Sequence, residues 1–92
     1  MPTVHKYEVP MQTSFTLELP RTGRFLAFQA QQDRPQIWML VDREDKLTIE
    51  CEFRIAGTGH LIEEPKGNLH YRGTCQMREG ALMWHLFEVI RF

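Results

Sequence analysis

The chain has 92 residues, 42% hydrophobic and 25% charged, and its eleven basic and twelve acidic side chains leave a formal charge of −1. A chain of this length buries roughly 65% of its unfolded surface, which supports one core and a single domain over residues 1–92. No apolar run reaches the roughly 20 residues of a membrane span, and the scattered charge excludes both the basic stripe of a non-specific nucleic-acid binder and the acidic surface of a DNA mimic.

The predicted elements are all strands. Pro10, Pro20, Gly23, Pro35, Gly57, Gly59, Pro65, Gly67 and Gly80 punctuate runs rich in β-branched and aromatic residues. In chain order the strands fall at Val4–Val9, Phe15–Leu19, Arg24–Ala30, Gln36–Val41, Leu47–Ala56, Leu69–Met77 and Leu82–Ile90. No window shows sustained helical spacing, and a turn at Asp42–Asp45 is the most helix the pattern allows. The expected fold is all-β, a small antiparallel sandwich or partly closed barrel of about seven strands built from consecutive hairpins.

Burial differs between these strands. From Leu47 to Ile55 apolar and polar residues alternate, so Leu47, Ile49, Cys51, Phe53 and Ile55 share the inner face of a half-buried strand. Arg24–Phe28, Ile37–Val41 and Leu82–Phe87 have no polar side. A second apolar face needs a second sheet, a barrel interior or a second molecule to cover it, which raises the expectation of a homo-oligomer or a partner-binding face.

Cys51 and Cys75 have no CxxC spacing and read as small buried hydrophobes. If the fifth and sixth strands form a hairpin with Gly57 opposite Leu69, Cys51 faces Cys75 at disulfide distance. A slide of two residues pairs Glu52 with Arg72 instead and makes the cysteines diagonal neighbours. Charge favours the second register, and so two adjacent reduced thiols.

Few residues point to chemistry. Gly57-Thr58-Gly59-His60 follows a strand, as a phosphate loop does, but it lacks the lysine and following helix, and Glu63 and Glu64 bring negative charge. The glycines are expected to supply a bend, with His60 capping it. His5, His60, His70 and His85 lie on separate segments, so no metal site is expected, and no cofactor. His85, between Trp84 and Leu86, suits a hydrogen-bonded core or interface histidine, and only a carboxylate neighbour would make it a base. Ser14 lacks elbow glycines and neither cysteine has an adjacent cation, so no enzyme is expected. Glu50/Glu52 and Glu63/Glu64 read as solvated charges. Phe25, Phe28 and Tyr71 near Arg21, Arg24 and Arg72 imitate a base-stacking surface, but a chain this short needs those rings for its core.

The segments His5-Lys-Tyr-Glu-Val-Pro, Phe15-Thr-Leu-Glu-Leu-Pro, Ile37-Trp-Met-Leu-Val-Asp, Phe53-Arg-Ile-Ala-Gly-Thr-Gly-His, Tyr71-Arg-Gly-Thr and Leu82-Met-Trp-His-Leu-Phe-Glu, in this order, carry a resemblance. The chain resembles a family of short bacteriophage and prophage proteins of unknown function over nearly its full length. The Gly-Thr-Gly-His turn and the late Trp-His-Leu-Phe-Glu segment are the most specific part of that likeness. No residue roles transfer with it.

The resemblance implies a setting, the cytoplasm of an infected or lysogenic bacterium, and the absence of an apolar leader at the N-terminus agrees. Two functions fit. One is an accessory protein acting by protein–protein interaction, as an inhibitor of a host protein or a minor assembly factor, through its doubly apolar strands with Trp38, Trp84 and His85. The other is a small-ligand protein, nucleotide-like in its target, with a site near Gly57, Thr58, Gly59 and His60. The first accounts for more residues.

Overall fold

The computed structural model describes residues 1–92 as seven strands and one short 3₁₀ turn. The strands are β1 (Pro2–Glu8), β2 (Ser14–Pro20), β3 (Arg24–Gln31), β4 (Arg34–Asp42), β5 (Thr48–Gly57), β6 (Leu69–Met77) and β7 (Leu82–Val89), and the 3₁₀ turn is Lys66–Asn68. Asp42–Asp45 is a plain turn closed by Asp45 N–H on Asp42 O at 3.2 Å. All strand pairs are antiparallel, in a three-stranded sheet of order β1-β4-β3 and a four-stranded sheet of order β2-β5-β7-β6. The two sheets pack as a sandwich and are not closed into a barrel. No helix is long and apolar enough to cross a membrane.

The order departs from consecutive hairpins. Only β3–β4 and β6–β7 pair with their neighbour in sequence, while β7 inserts between β5 and β6. The reason lies in the doubly apolar strands. A strand with no polar face is best placed in the middle of a sheet, where cross-strand neighbours shield its flanks, and β4 and β7 occupy those positions; the third such segment, Arg24–Phe28, departs from this and lies in the edge strand β3, where Arg24 and Leu26 stay exposed. The β5–β6 hairpin and both registers expected for it are therefore not formed. Cys51 and Cys75 are buried and free as expected, but Trp84 of β7 lies beside Cys75 and β7 separates the two thiols.

The core joins the inner faces. Phe53, Ile37 and Leu86 are fully buried, and the Phe15 and Phe53 rings stack with centroids 5.4 Å apart. The edges β3 and β6 curl toward each other to close one side. Each carries an extra residue, Leu26 and Arg72, at a break in register. Between them the backbone approach is tight, since a Cβ on Gly73 would lie 3.0 Å from Phe28 Cβ. At the end of the sandwich, Gln32 and Asp33 turn β3 into β4 and Arg78 and Glu79 follow β6, all with positive φ. Asp33 Oδ1 accepts the Arg78 N–H at 2.8 Å and ties the two turns together.

Replacing Phe53 by alanine should cost about 3–5 kcal/mol, because the fully buried ring cannot be replaced by solvent, whereas Leu61→Ala at an exposed site should stay within about 0.5 kcal/mol. Urea unfolding of the two variants checks this. Burial pushes both thiols up, Cys51 to about 11 with Glu88 adding to the effect. At pH 8 native protein should alkylate slowly with iodoacetamide and quickly once unfolded, with no two-dalton change on reduction; fast native labelling would contradict the buried, protonated thiols.

Candidate functional site

Gly57-Thr58-Gly59-His60 is a β-turn in which His60 donates its N–H to Gly57 O at 3.0 Å. Gly59 has φ of 87°, the left-handed conformation that the third residue of a type II turn requires. Gly57 serves differently. A Cβ there would lie 2.9 Å from His60 Nδ1 and Cε1, so the missing side chain is the space in which the His60 ring folds back. The motif is thus a bend with an imidazole laid over it.

The bend is fastened to the sheet through His85. Thr58 Oγ1 lies 2.7 Å from His85 Nε2, Thr74 Oγ1 lies 3.0 Å from His85 Nδ1, and Tyr71 OH is 2.6 Å from Thr74 Oγ1. A neutral imidazole offers one donor and one acceptor, and hydroxyls on both sides satisfy either tautomer. Neither nitrogen meets a carboxylate, the neighbour that would hold the ring as a catalytic base. Trp84 is cross-strand from Gly57 on the other face of β7, and its Nε1 is buried without a hydrogen-bond partner. Gly57, Thr58, His60 and Trp84 line a cleft of about 240 Å³ together with Leu82 and Met83. Of the residues singled out from sequence, Gly57, Thr58, Gly59, His60, Trp84 and His85 gather at this turn, and Trp38 lies apart on the three-stranded sheet. Thr74 completes the network with Tyr71, which is 58% exposed and so does not fill the core as the sequence led one to expect; the bulge that moves β6 in register hides the pairing of Thr74 with His85 from a sequence reading.

The segment after the turn is clamped over the outside of the four-stranded sheet. Arg54 bridges Glu52 at 2.9 Å and Glu64 at 3.1 Å, and Arg91 reaches Glu52 at 2.6 Å and Glu64 at 2.8 Å. Asn68 Nδ2 donates to the remaining Glu64 oxygen at 2.8 Å. Glu64, whose side chain is only 6% exposed, is therefore no solvated charge, in contrast to Glu50 and Glu63. The Arg91 and Arg54 guanidiniums hold the Glu52 carboxyl down to about 2, and hydrogen bonding to Asn68 with the nearby arginines also lowers Glu64.

The outer face of the three-stranded sheet has no such cover. There Leu40 lies between Val4 and Arg24, and Trp38 between Lys6 and Ala27. Lys6 Nζ sits 5.8 Å from the Trp38 ring centroid, a cation–π contact. Val4 is 52% exposed, Trp38 and Leu40 are half-buried, and the bulge residue Leu26 is 47% exposed. Lys6 and Arg24 take no part in the salt bridges of the molecule. Sequence parity marks Trp38 and Leu40 as one face of β4, but Val4, Lys6 and Arg24 join them only because β1 and β3 flank that strand.

The clamp should fail in acid. Both carboxyls are lower in the folded than in the unfolded chain, so they stabilise the fold above the unfolded value near 4.5. That contribution is lost as pH falls toward about 2. The urea midpoint should drop over this range, and drop less in Glu64→Gln; equal slopes for both proteins would contradict the clamp.

No curated protein and no solved structure matches the chain significantly. The model of one family, described as a domain of unknown function, matches residues 1–92. The chain therefore belongs to that family, DUF7352, over all of its 92 residues.

Proposed function

We propose that this protein is a non-catalytic interaction module that docks a partner protein on the outer face of its three-stranded sheet. The observation that carries the reading is the block formed by Val4, Lys6, Arg24, Ala27, Trp38 and Leu40, an aromatic anchor amid aliphatic groups with a cationic rim that no internal carboxylate neutralises. Interface energy concentrates in such anchors, and tryptophan and arginine are enriched among them. The rim selects a partner with an acidic surface around an apolar pocket. A second copy of the chain fits less well, because a two-fold contact through Trp38 sets Lys6 and Arg24 against the same cationic surface.

The resemblance to bacteriophage and prophage proteins supports placing this partner among host proteins in the bacterial cytoplasm, with the module as an inhibitor or assembly factor. The second reading, a nucleotide-like ligand at Gly57–His60, is the weaker one. Its hydroxyl, Thr58, is already engaged by His85, and its imidazole, His60, folds over Gly57.

The test is quantitative capture from host lysate with the wild-type chain and with Trp38→Ala, the double variant Lys6→Glu/Arg24→Glu, and His60→Ala as baits. A discrete protein held by wild type and His60→Ala should be lost with the other two baits. The Trp38→Ala loss, measured on the isolated complex, should be about 2 kcal/mol or more, roughly thirtyfold in affinity. Retention by Trp38→Ala, or loss on His60→Ala, would overturn the reading in favour of the turn.

A further inference from the structure

The two ends of the sandwich differ. One is filled by Val9, Met77 and their neighbours, all buried. At the other, where β2 and β7 end and β5 and β6 begin, a cleft of about 390 Å³ opens between the sheets. Phe25 and Met39 form one wall and Leu19, Ile49, Cys51 and Phe53 the other. Ile49 pairs with buried Leu19 on the inner face yet is 51% exposed, because nothing on the opposite sheet covers it. The volume lies within the range of small-molecule sites, roughly 300–1,000 Å³.

A charged pair faces this apolar mouth. Glu88 is cross-strand from Phe53, so its carboxylate emerges on the inner face, where a charge is costly. Arg72, the bulge residue of β6, donates to Glu88 Oε1 from Nε at 3.0 Å and approaches it from Nη2 at 2.9 Å. Its Nη1 reaches Tyr71 O at 3.4 Å. Glu88 Oε2 accepts no N–H from the protein, its only other neighbour of note being the weak S–H donor of Cys51 in the same cleft, and the guanidinium, with five N–H groups, retains donors beyond these contacts. Both residues line the cleft. The bulge is what brings Arg72 there, as it inserts one extra residue opposite β7 at this level.

The combination specifies a ligand chemistry. An anion meets Glu88, a cation meets Arg72 and Arg21, and a purely apolar molecule would leave the spare acceptor and donors buried without partners. A neutral edge with an N–H beside a C=O satisfies both at once. We infer that the mouth is a binding site for a small neutral molecule whose flat apolar body enters between Phe25/Met39 and Ile49/Phe53. Its cis-amide edge donates N–H to Glu88 and accepts from Arg72. This site is separate from the Trp38 face and stands whether or not that face docks a partner.

The probe is 2-quinolone, a flat bicycle with a lactam edge, titrated into the full chain and followed by NMR. Expected are saturable shifts at Phe25, Met39, Ile49, Phe53 and Arg72, with Trp38 unmoved. Methylating the lactam nitrogen (1-methyl-2-quinolone) removes the donor and should weaken binding about tenfold or more. Quinoline-2-carboxylate, an anion of the same body, should bind more weakly than 2-quinolone. Glu88→Gln, checked for folding by its melting temperature, should lose most of the preference for the N–H form. No saturable shifts at the mouth, equal binding of the methylated analogue, or tighter binding of the carboxylate would each overturn the proposal, and all three are read on the wild-type protein.

Discussion

Three strands of this chain, β3, β4 and β7, carry segments with no polar side; β3 lies at an edge, and for β4 and β7 a chain of 92 residues makes sheet enough to cover only one face of each. Most of the architecture follows from that shortage. Both strands take central positions, where neighbours on either side shield them, and the core forms from their inner residues Ile37, Met39, Val41 and Leu86. Putting β7 in the middle of its sheet means separating β5 from β6, and the eleven-residue segment 58–68 makes that separation affordable in chain length. The outward residues of β4 and β7 are what remains to be covered.

The two outer faces meet that need differently. Over the four-stranded sheet the chain supplies its own cover: the segment after the Gly57–His60 turn and the C-terminal Arg91 are held by Arg54, Glu52 and Glu64, and His85 is enclosed by three hydroxyl-bearing residues. Over the three-stranded sheet nothing comparable exists, and half-buried Trp38 lies under the Lys6 ammonium and beside the cross-strand Ala27. An ion network built from partly buried arginines and carboxylates adds little net stability, since desolvation offsets much of the attraction, but it fixes geometry. Here it fixes which face is closed, and the other one stays uncovered.

Closure along one side has a second consequence. The bulges at Leu26 and Arg72 bend β3 and β6 together, with Gly73 against Phe28, and a sandwich pinched along that side opens at the end where the strands splay. The same bulge carries Arg72 to the inward carboxylate of Glu88. One local irregularity in β6 thus both shapes the mouth and furnishes its polar pair.

Much of the fold is legible in the amino-acid sequence. Alternation from Ile49 to Ile55 assigns the inner residues of β5, though Leu47 lies outside the strand and is exposed; proline and glycine mark the strand ends to within a residue or two, and Gly59 announces a turn that demands positive φ. These properties are local, set by steric preference and by the period of two. The candidate site was legible only in fragments: Trp38, the turn and His85 stand out, Arg24, Tyr71 and Arg72 draw notice only as an imitation of a stacking surface, and Lys6, Thr74 and Glu88 carry no signal. Strand order decides all of these, because a residue's cross-strand neighbours come from distant segments and a bulge shifts every partner beyond it. The sequence by itself determined an all-β chain with three strand segments that have no polar side. Tertiary structure alone decided which strand lies beside which, which face the chain could cover, and where a charge would point inward, since those depend on competition among pairings for the same limited apolar cover.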